Sequence, residues 1–336
     1  MVRVRFAPSP TGSLHLGNAL SAVANRQFAD EHGGRLLLRI DDTDSARNVE
    51  GGAEAIAADL AWLGIGWDEG PVRQSERYVR HREAAHTIGE PDSEGALRFG
   101  QTTLLRADGT PTYQLASAVD DVDLEISHVI RGSDHRANAE LQSALIRALG
   151  AEPPEYIHHG LLLGDDGQKL SKRHGASSLA DLRDAGIPGE AVRTYLAELG
   201  IPRHDVHLDL PRLRRLSIEA LAALSDEELA ARVGAPVSLA PVLRGARDLA
   251  EAREYAAQVL EAPELHVDAP ETLARFREFV EGGLDARAVV RELKAVGGDL
   301  KSVRLALTGR ERGPELWAVI AALPHDELLR RTEAAL

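Results

Sequence analysis

Residues able to hold an anion gather in the stretch RFAPSPTGSLHLGN, from Arg5 to Asn18. Val2, Val4 and Phe6 read as a short buried strand, Pro8 to Gly12 as a turn, and the chain from Leu14 as a helix with Leu16, Leu20 and Val23 at its apolar positions. Gly12 and Gly17 carry no Cβ and let main chain approach a ligand, while the N–H groups and dipole of a first helical turn at Leu14 to Gly17 favour a negative group. His15 stands where its imidazole can donate to a phosphate. The letters HLGN alone suit an ordinary turn closed by a satisfied histidine, so it is the full stretch that carries the anion reading.

Other reactive types recur downstream. Asp41, Asp42 and Asp44 follow a second short strand, Leu36 to Ile40, and the C-terminal ends of parallel strands are where an α/β sheet places ligand contacts. A solvated turn with an N-cap aspartate gives the same letters. Arg131 ends an apolar run, so its guanidinium can emerge at a sheet edge and take a carboxylate through two parallel hydrogen bonds; Tyr113 offers a hydroxyl beside an apolar ring. Taken singly, these two also suit a surface ion pair and a core tyrosine. Lys169 and Lys172 ride on a glycine-rich loop, and basic surface loops are common.

The elements that must position these groups are legible in outline. Glu54 to Gly64 has helical periodicity through Ile56, Leu60 and Leu63 and stops at Gly64. Ala107-Asp108-Gly109 is a turn; Val119 to Val122 and Ile126 to Ile130 read as strand-like, Asn138 to Leu149 as an amphipathic helix, and Ile157 to Leu163 as a strand. From Leu179 onward the pattern is helical, punctuated by Gly186, Pro188, Gly200, Pro202, Pro236 and Pro263.

Composition narrows the class. A chain of 336 residues with 43% hydrophobic content can bury two or three cores. It has no apolar run of membrane-spanning length, and Met1 leads directly into a strand, so a cytoplasmic protein away from membranes is expected. The absence of cysteine excludes disulfides, thiolate catalysis and cysteine-ligated zinc; among 13 histidines the only adjacent pair, His158-His159, suits packing better than metal binding. A net charge of −14 requires any nucleic-acid contact to come from a local basic surface. Arg212, Arg214 and Arg215 form the clearest such cluster, and a solvated helix face explains them equally well.

RFAPSPTGSLHLGN closely resembles the opening of glutamyl-tRNA synthetase, a class I aminoacyl-tRNA synthetase, with His15-Leu16-Gly17-Asn18 as its version of the HIGH motif. The fourth position is Asn18, so no role of a second histidine transfers. LRIDDTD is similar to the family's glutamate-side segment, with Asp41 at the residue that holds the substrate ammonium, one methylene shorter than the glutamate of the commonest bacterial version. KLSKR, in the expected place, resembles the KMSKS loop. The resemblance implies ATP contacts at Pro10, Thr11, Gly12, His15, Gly17, Asn18, Lys169, Ser171 and Lys172, with His15, Lys169 and Lys172 serving catalysis. It implies a glutamate pocket of Arg5, Ala7, Ser9, Asp41, Tyr113 and Arg131, and two arginines around a small acidic substrate make physical sense because a desolvated carboxylate needs paired charge. Mg2+ would arrive with ATP, with no protein ligand and no zinc.

The fold this implies is α/β: a class I Rossmann-like parallel sheet over residues 1–165, a KLSKR loop with stem-contact helices over 166–225, and a shortened helical anticodon-binding-like region over 226–336. Ordinary members carry a long insertion gripping the acceptor end of tRNA. Here only about twenty residues, Glu83 to Thr103, join the halves, a length typical of a plain connection. Resemblance fades between Arg232 and Val296 and returns at VRLALTGRERGPELWAVIAALP. The expected function is ATP-dependent attachment of L-glutamate to tRNA by a monomer. The alternatives are a glutamyl-adenylate ligase serving a small amine, carrier protein or modified tRNA base, favoured by the missing insertion and the acidic charge, and a non-catalytic descendant, disfavoured by intact His15, Lys169 and Lys172.

Overall fold

Strand β1 (Arg3–Phe6) is buried from Val4 onward and forms the middle of a five-stranded, wholly parallel sheet. The computed structural model describes residues 1–168, 170 and 178–336. From β1 the chain enters α1 (Leu16–Glu31), which buries Leu16, Leu20 and Val23, and returns as β2 (Arg35–Ile40), with Val4 in register with Leu36 and Phe6 with Leu38. Helix α2 (Gly52–Trp62) and strand β3 (Glu69–Arg73) extend the sheet on that side. The other side is β7 (His128–Gly132) beside β1 and β8 (Glu155–His159) beyond it, giving the order β3-β2-β1-β7-β8. The order reverses between β1 and β7, and a crevice at the carboxyl ends of strands flanking such a reversal is where open α/β sheets bind ligands.

Between the two halves lie α3 (Tyr78–Ile88) and a small antiparallel sheet of β4 (Glu90–Pro91), β5 (Leu97–Phe99) and β6 (Thr102–Leu105). The expected plain connection is therefore a folded hairpin. Leu97, Leu104 and Leu105 are buried in one cluster with Ala84 and Ala85 of α3, Leu115 and Val119 of α4 (Tyr113–Asp123), and Leu145 and Ile146 of α5 (Arg136–Ala148).

The strand expected at Val119 to Val122 is wrong: these residues lie in α4. Leu115, Ala118, Val119 and Val122 recur at helical spacing, and that period outweighs the local β-branched residues. The strand expected from Ile157 to Leu163 is broken at Gly160. Its N–H donates to the Pro202 carbonyl, and a Cβ there would stand 1.9 Å from the His204 carbonyl oxygen. Beyond it β9 (Leu162–Leu163) pairs in parallel with β10 (Val206–His207), after α6 (Leu179–Asp184) and α7 (Gly189–Leu199), so the stretch after Leu179 contains one short strand among its helices.

The chain divides into two units, residues 1–183 with 192–210, and 184–191 with 211–336. The second unit is helical among its described residues: α8 (Leu210–Ala223), α9 (Asp226–Val233), α10 (Ala240–Leu243), α11 (Leu249–Leu260), α12 (Pro270–Glu281), α13 (Ala286–Ala295), α14 (Leu300–Thr308), α15 (Leu316–Ala322) and α16 (His325–Ala334). Leu229, Leu243, Phe276, Val289, Val303 and Val319 are fully buried in its core. Phe276→Ala is expected to destabilise this unit by about 3–5 kcal/mol, measured by urea unfolding, because the surrounding helices can only partly close the cavity.

Candidate functional site

The first-unit crevice is a cavity of about 920 Å³, lined from β1 and its loop, the start of α1, the end of β2, the start of α4, the end of β7 and the segment after β8. Arg5, Ala7, Ser9, Thr11, His15, Gly17, Asn18, Asp41, Tyr113 and Arg131 all line it. Pro10 and Gly12 do not. Pro10 is buried with its carbonyl accepting from Val49 N–H, and Gly12, at φ +110°, supplies a left-handed bend that other residues rarely adopt.

Helix α1 begins two residues later than expected, with His15 as its N-cap, and the His15 side chain makes no capping hydrogen bond. The Leu14 N–H is already taken by Asp59 at 2.8 Å, so the anion-facing donors are those of the turn starting at Leu16. Asp59, only 2% exposed, also accepts from Ser13 Oγ and from Arg183 Nη2, each at 2.8 Å, and so fixes the loop before His15. Lys169, Ser171 and Lys172 lie outside the described residues. Their described neighbours bracket the site: Leu170 lines the cavity, and Ser178 forms a β-bridge with His15.

Beneath the cavity is a chain of buried charges. Arg39, fully buried, holds Asp41 through two hydrogen bonds, Nε to Oδ1 at 2.6 Å and Nη2 to Oδ2 at 3.1 Å. Its Nη1 donates to Asp121 Oδ1 at 2.7 Å, the same oxygen that accepts from Arg5 Nε at 3.2 Å. Burial works against the Arg39 charge, but Asp41 and Asp121 outweigh it and hold the guanidinium well above its ordinary pKa. One residue earlier on α4, Asp120 accepts from Gln74, Arg77 and His81.

Arg131 is differently placed. Its Nη1 donates to Gln142 Oε1 at 2.9 Å, its guanidinium lies 5.1 Å from the Tyr156 ring centre, and its buried Nη2 has no partner among the described residues. Burial lowers its pKa, and the nearby Arg5 charge lowers it further; two cations facing one cavity are relieved by an anion between them. His158 accepts weakly from Arg131 Nε at 3.5 Å and is pushed down to about 4 by burial and by Arg131.

A model of the family described as tRNA synthetases class I (E and Q), catalytic domain, matches residues 1–90 and 93–210. The chain belongs to this family. It is 37% identical to glutamate–tRNA ligase 1 of Rubrobacter xylanophilus over 430 aligned residues, covering 99% of this chain and 97% of that one. It is 30% identical to the glutamate–tRNA ligase of Desulforudis audaxviator over 482, covering 100% and 96%. Among solved structures, a glutamate tRNA ligase from Elizabethkingia meningosepticum in complex with its amino acid superposes with a TM-score of 0.77 at 23% identity, covering 99% of each chain, a likeness of fold. The family match is interrupted at residues 91–92, within the hairpin after α3.

The residues missed in the sequence are Arg39, Asp59 and Asp121. Each is a charged residue inside an apolar or helical run, and that pattern was the available signal. Arg212, Arg214 and Arg215 lie on α8, where Arg212 pairs with Glu219 at 3.6 Å while the other two are exposed. Because the His158 pKa falls from 6.5 to about 4 on folding, its stabilising contribution, complete above about pH 6.5, is lost as pH falls toward 4. Imidazole titration by NMR should give an apparent pKa near 4 and, in Arg131→Gln, a value moved toward 6.5.

Proposed function

We propose that the protein activates L-glutamate with ATP as glutamyl adenylate and transfers the glutamyl group to the 3′-terminal ribose of tRNA. The observation that carries this reading is the unpartnered, buried Arg131 Nη2 in a cavity shared with Arg5, Tyr113 and Asp41. Arg131, Arg5 and the Tyr113 hydroxyl suit the side-chain carboxylate of a small acid, and Asp41 suits its ammonium. Ala7 and Ser9 lie on the β1 loop between these groups and the start of α1. The end-to-end alignment with glutamate–tRNA ligases supports the same substrate.

The chemistry asked of the site is a displacement between like charges. An oxygen of the substrate α-carboxylate attacks the α-phosphorus of ATP, the bond to the bridging oxygen breaks, and pyrophosphate leaves. Catalysis then rests on positioning and on donors aimed at the phosphates: His15, the first-turn N–H groups of α1, and Thr11, Gly17 and Asn18 along the cavity wall. Lys169, Ser171 and Lys172 are proposed to complete this cradle. ATP enters as its Mg2+ complex, and the ion offsets charge on the leaving group. Among the described residues no group of three His, Cys, Asp or Glu could hold a metal, and we propose that the ATP phosphates would carry the ion. In the second step a terminal ribose hydroxyl attacks the carbonyl of the mixed anhydride and AMP departs.

The helical unit is proposed to meet tRNA, with Arg214 and Arg215 as exposed phosphate contacts and Arg212 beside them. No helix among the described residues is long and apolar enough to cross a membrane; a cytoplasmic location is proposed from the reading as a tRNA-charging enzyme. We propose that it acts as a monomer.

Labelled glutamate with ATP, Mg2+ and total tRNA should give base-labile label on tRNA that is lost in Lys172→Ala. Base-stable label, or label passing only to an added amine or carrier protein, would instead assign a different acceptor. Arg131→Ala is expected to raise the glutamate KM by about 10- to 100-fold, the range for losing charge-assisted hydrogen bonds. An unchanged KM would remove Arg131 from the pocket.

A further inference from the structure

We infer that Arg39 and Asp121, which do not line the cavity, set its selectivity for an acidic over a neutral substrate by fixing the net charge of the buried cluster on which it rests. The inference rests on the reading that glutamate occupies the cavity. The linked side chains are Arg5, Arg39, Asp41 and Asp121, joined by hydrogen bonds of 2.6–3.2 Å, and Arg131 lines the same cavity as Arg5 and Asp41. All five are at most 6% exposed, so water screens their charges poorly. Three guanidiniums and two carboxylates leave one positive charge. A substrate with two carboxylates and one ammonium carries one negative charge and neutralises the cluster; the corresponding amide carries none and leaves it uncompensated.

The surrounding groups do not cancel this excess. Asp44, Arg47 and Asp134 line the cavity but are exposed to solvent. His158 and His159 are both lowered by burial below the ordinary imidazole value and are neutral at pH 7. Asp42 is buried too, but its carboxylate accepts from the Ser75 N–H and hydroxyl rather than from the guanidiniums of the cluster, and its charge is the same in every variant compared below. Asp120 is offset by Arg77, 2.7 Å away.

Arg39 is the decisive member. It contributes the charge that keeps the cluster positive once Asp41 and Asp121 have been counted, and it does so without touching the substrate. Arg5 and Arg131 can grip a carboxylate, but with Arg39 neutral the pair would face two aspartates and the cluster would carry no net charge. The selectivity is thus divided between direct hydrogen bonds and a buried charge balance, and the second part can be altered and restored separately.

The test is charge compensation. Binding of glutamate and glutamine would be measured at pH 7.5, by calorimetry or by ligand-observed NMR, for the parent chain, Arg39→Gln, Asp121→Asn and the double variant. Asp121→Asn keeps the Oδ1 acceptor for both guanidiniums while removing its charge. Arg39→Gln should reduce the glutamate-to-glutamine preference at least about tenfold, the scale of one buried charge within several ångströms. Asp121→Asn should maintain or increase the preference, and the double variant, again carrying one positive charge, should return it to within about threefold of the parent. If Arg39→Gln does not fold, the Asp121→Asn and double variants still decide the matter. A preference that falls in Asp121→Asn, or that remains lost in a folded double variant, would overturn the inference and leave Arg39 as a packing element. A parent chain with no preference for glutamate would instead overturn the substrate reading itself.

Discussion

One oxygen of Asp121 lies between two guanidiniums, and the pocket's geometry depends on it. Arg5 arrives from the central strand and Arg39 from its neighbour; without a shared anion, two buried cations from adjacent parallel strands would repel each other. With Asp121 in place, Arg39 spends its remaining donors on Asp41 and on Ser117 of α4. Burying one such charge without partners costs several kcal/mol, whereas a chain of alternating sign with direct hydrogen bonds largely offsets that cost. What the arrangement supplies is less stability than orientation. Asp41 is held at both oxygens, on a side chain with little freedom of its own.

The sheet brings the rest together. Reversal of strand order between β1 and β7 opens a crevice at their carboxyl ends, and the β1 loop, Asp41 after β2 and Arg131 in β7 all project into it. The uncapped first turn of α1 faces the same space, so an anion there meets backbone donors whose hydrogen bonds are not already made by a side chain. Asp59 holds the approach to that turn, as Asp121 holds Arg5 and Arg39. Each half of the pocket is thus supported by an aspartate that does not itself line the cavity.

Much of this was legible in the sequence because hydrophobic period and turn chemistry are local. Val4 and Phe6, the Leu36 to Ile40 strand, the stop at Gly64 and the helix near Asn138 to Leu149 fell close to where their patterns placed them. The errors have identifiable sources. Val119 to Val122 is too short for its β-branched content to be weighed without the period of the whole helix, and Gly160 breaks a strand through a close approach of chain more than forty residues away. Length alone makes the segment after α3 a plain connection, although Leu97, Leu104 and Leu105 show the apolar content of a folded element. Arg39 and Asp121 were missed because their meaning is relational: each is an isolated charge until tertiary structure brings them within 2.7 Å.

The adjacency of Asp120 and Asp121 has one more consequence. Consecutive residues on a helix point about 100° apart, so α4 grips the sheet through one carboxylate and, through the other, the short turn Gln74–Arg77 and α3 before the hairpin, by way of Gln74, Arg77 and His81. The chain entering the hairpin is thereby tied to α4, and the chain leaving it runs on into that same helix, so the hairpin hangs between fixed points. The family match is interrupted at residues 91–92, inside that hairpin and between its two attachments to α4.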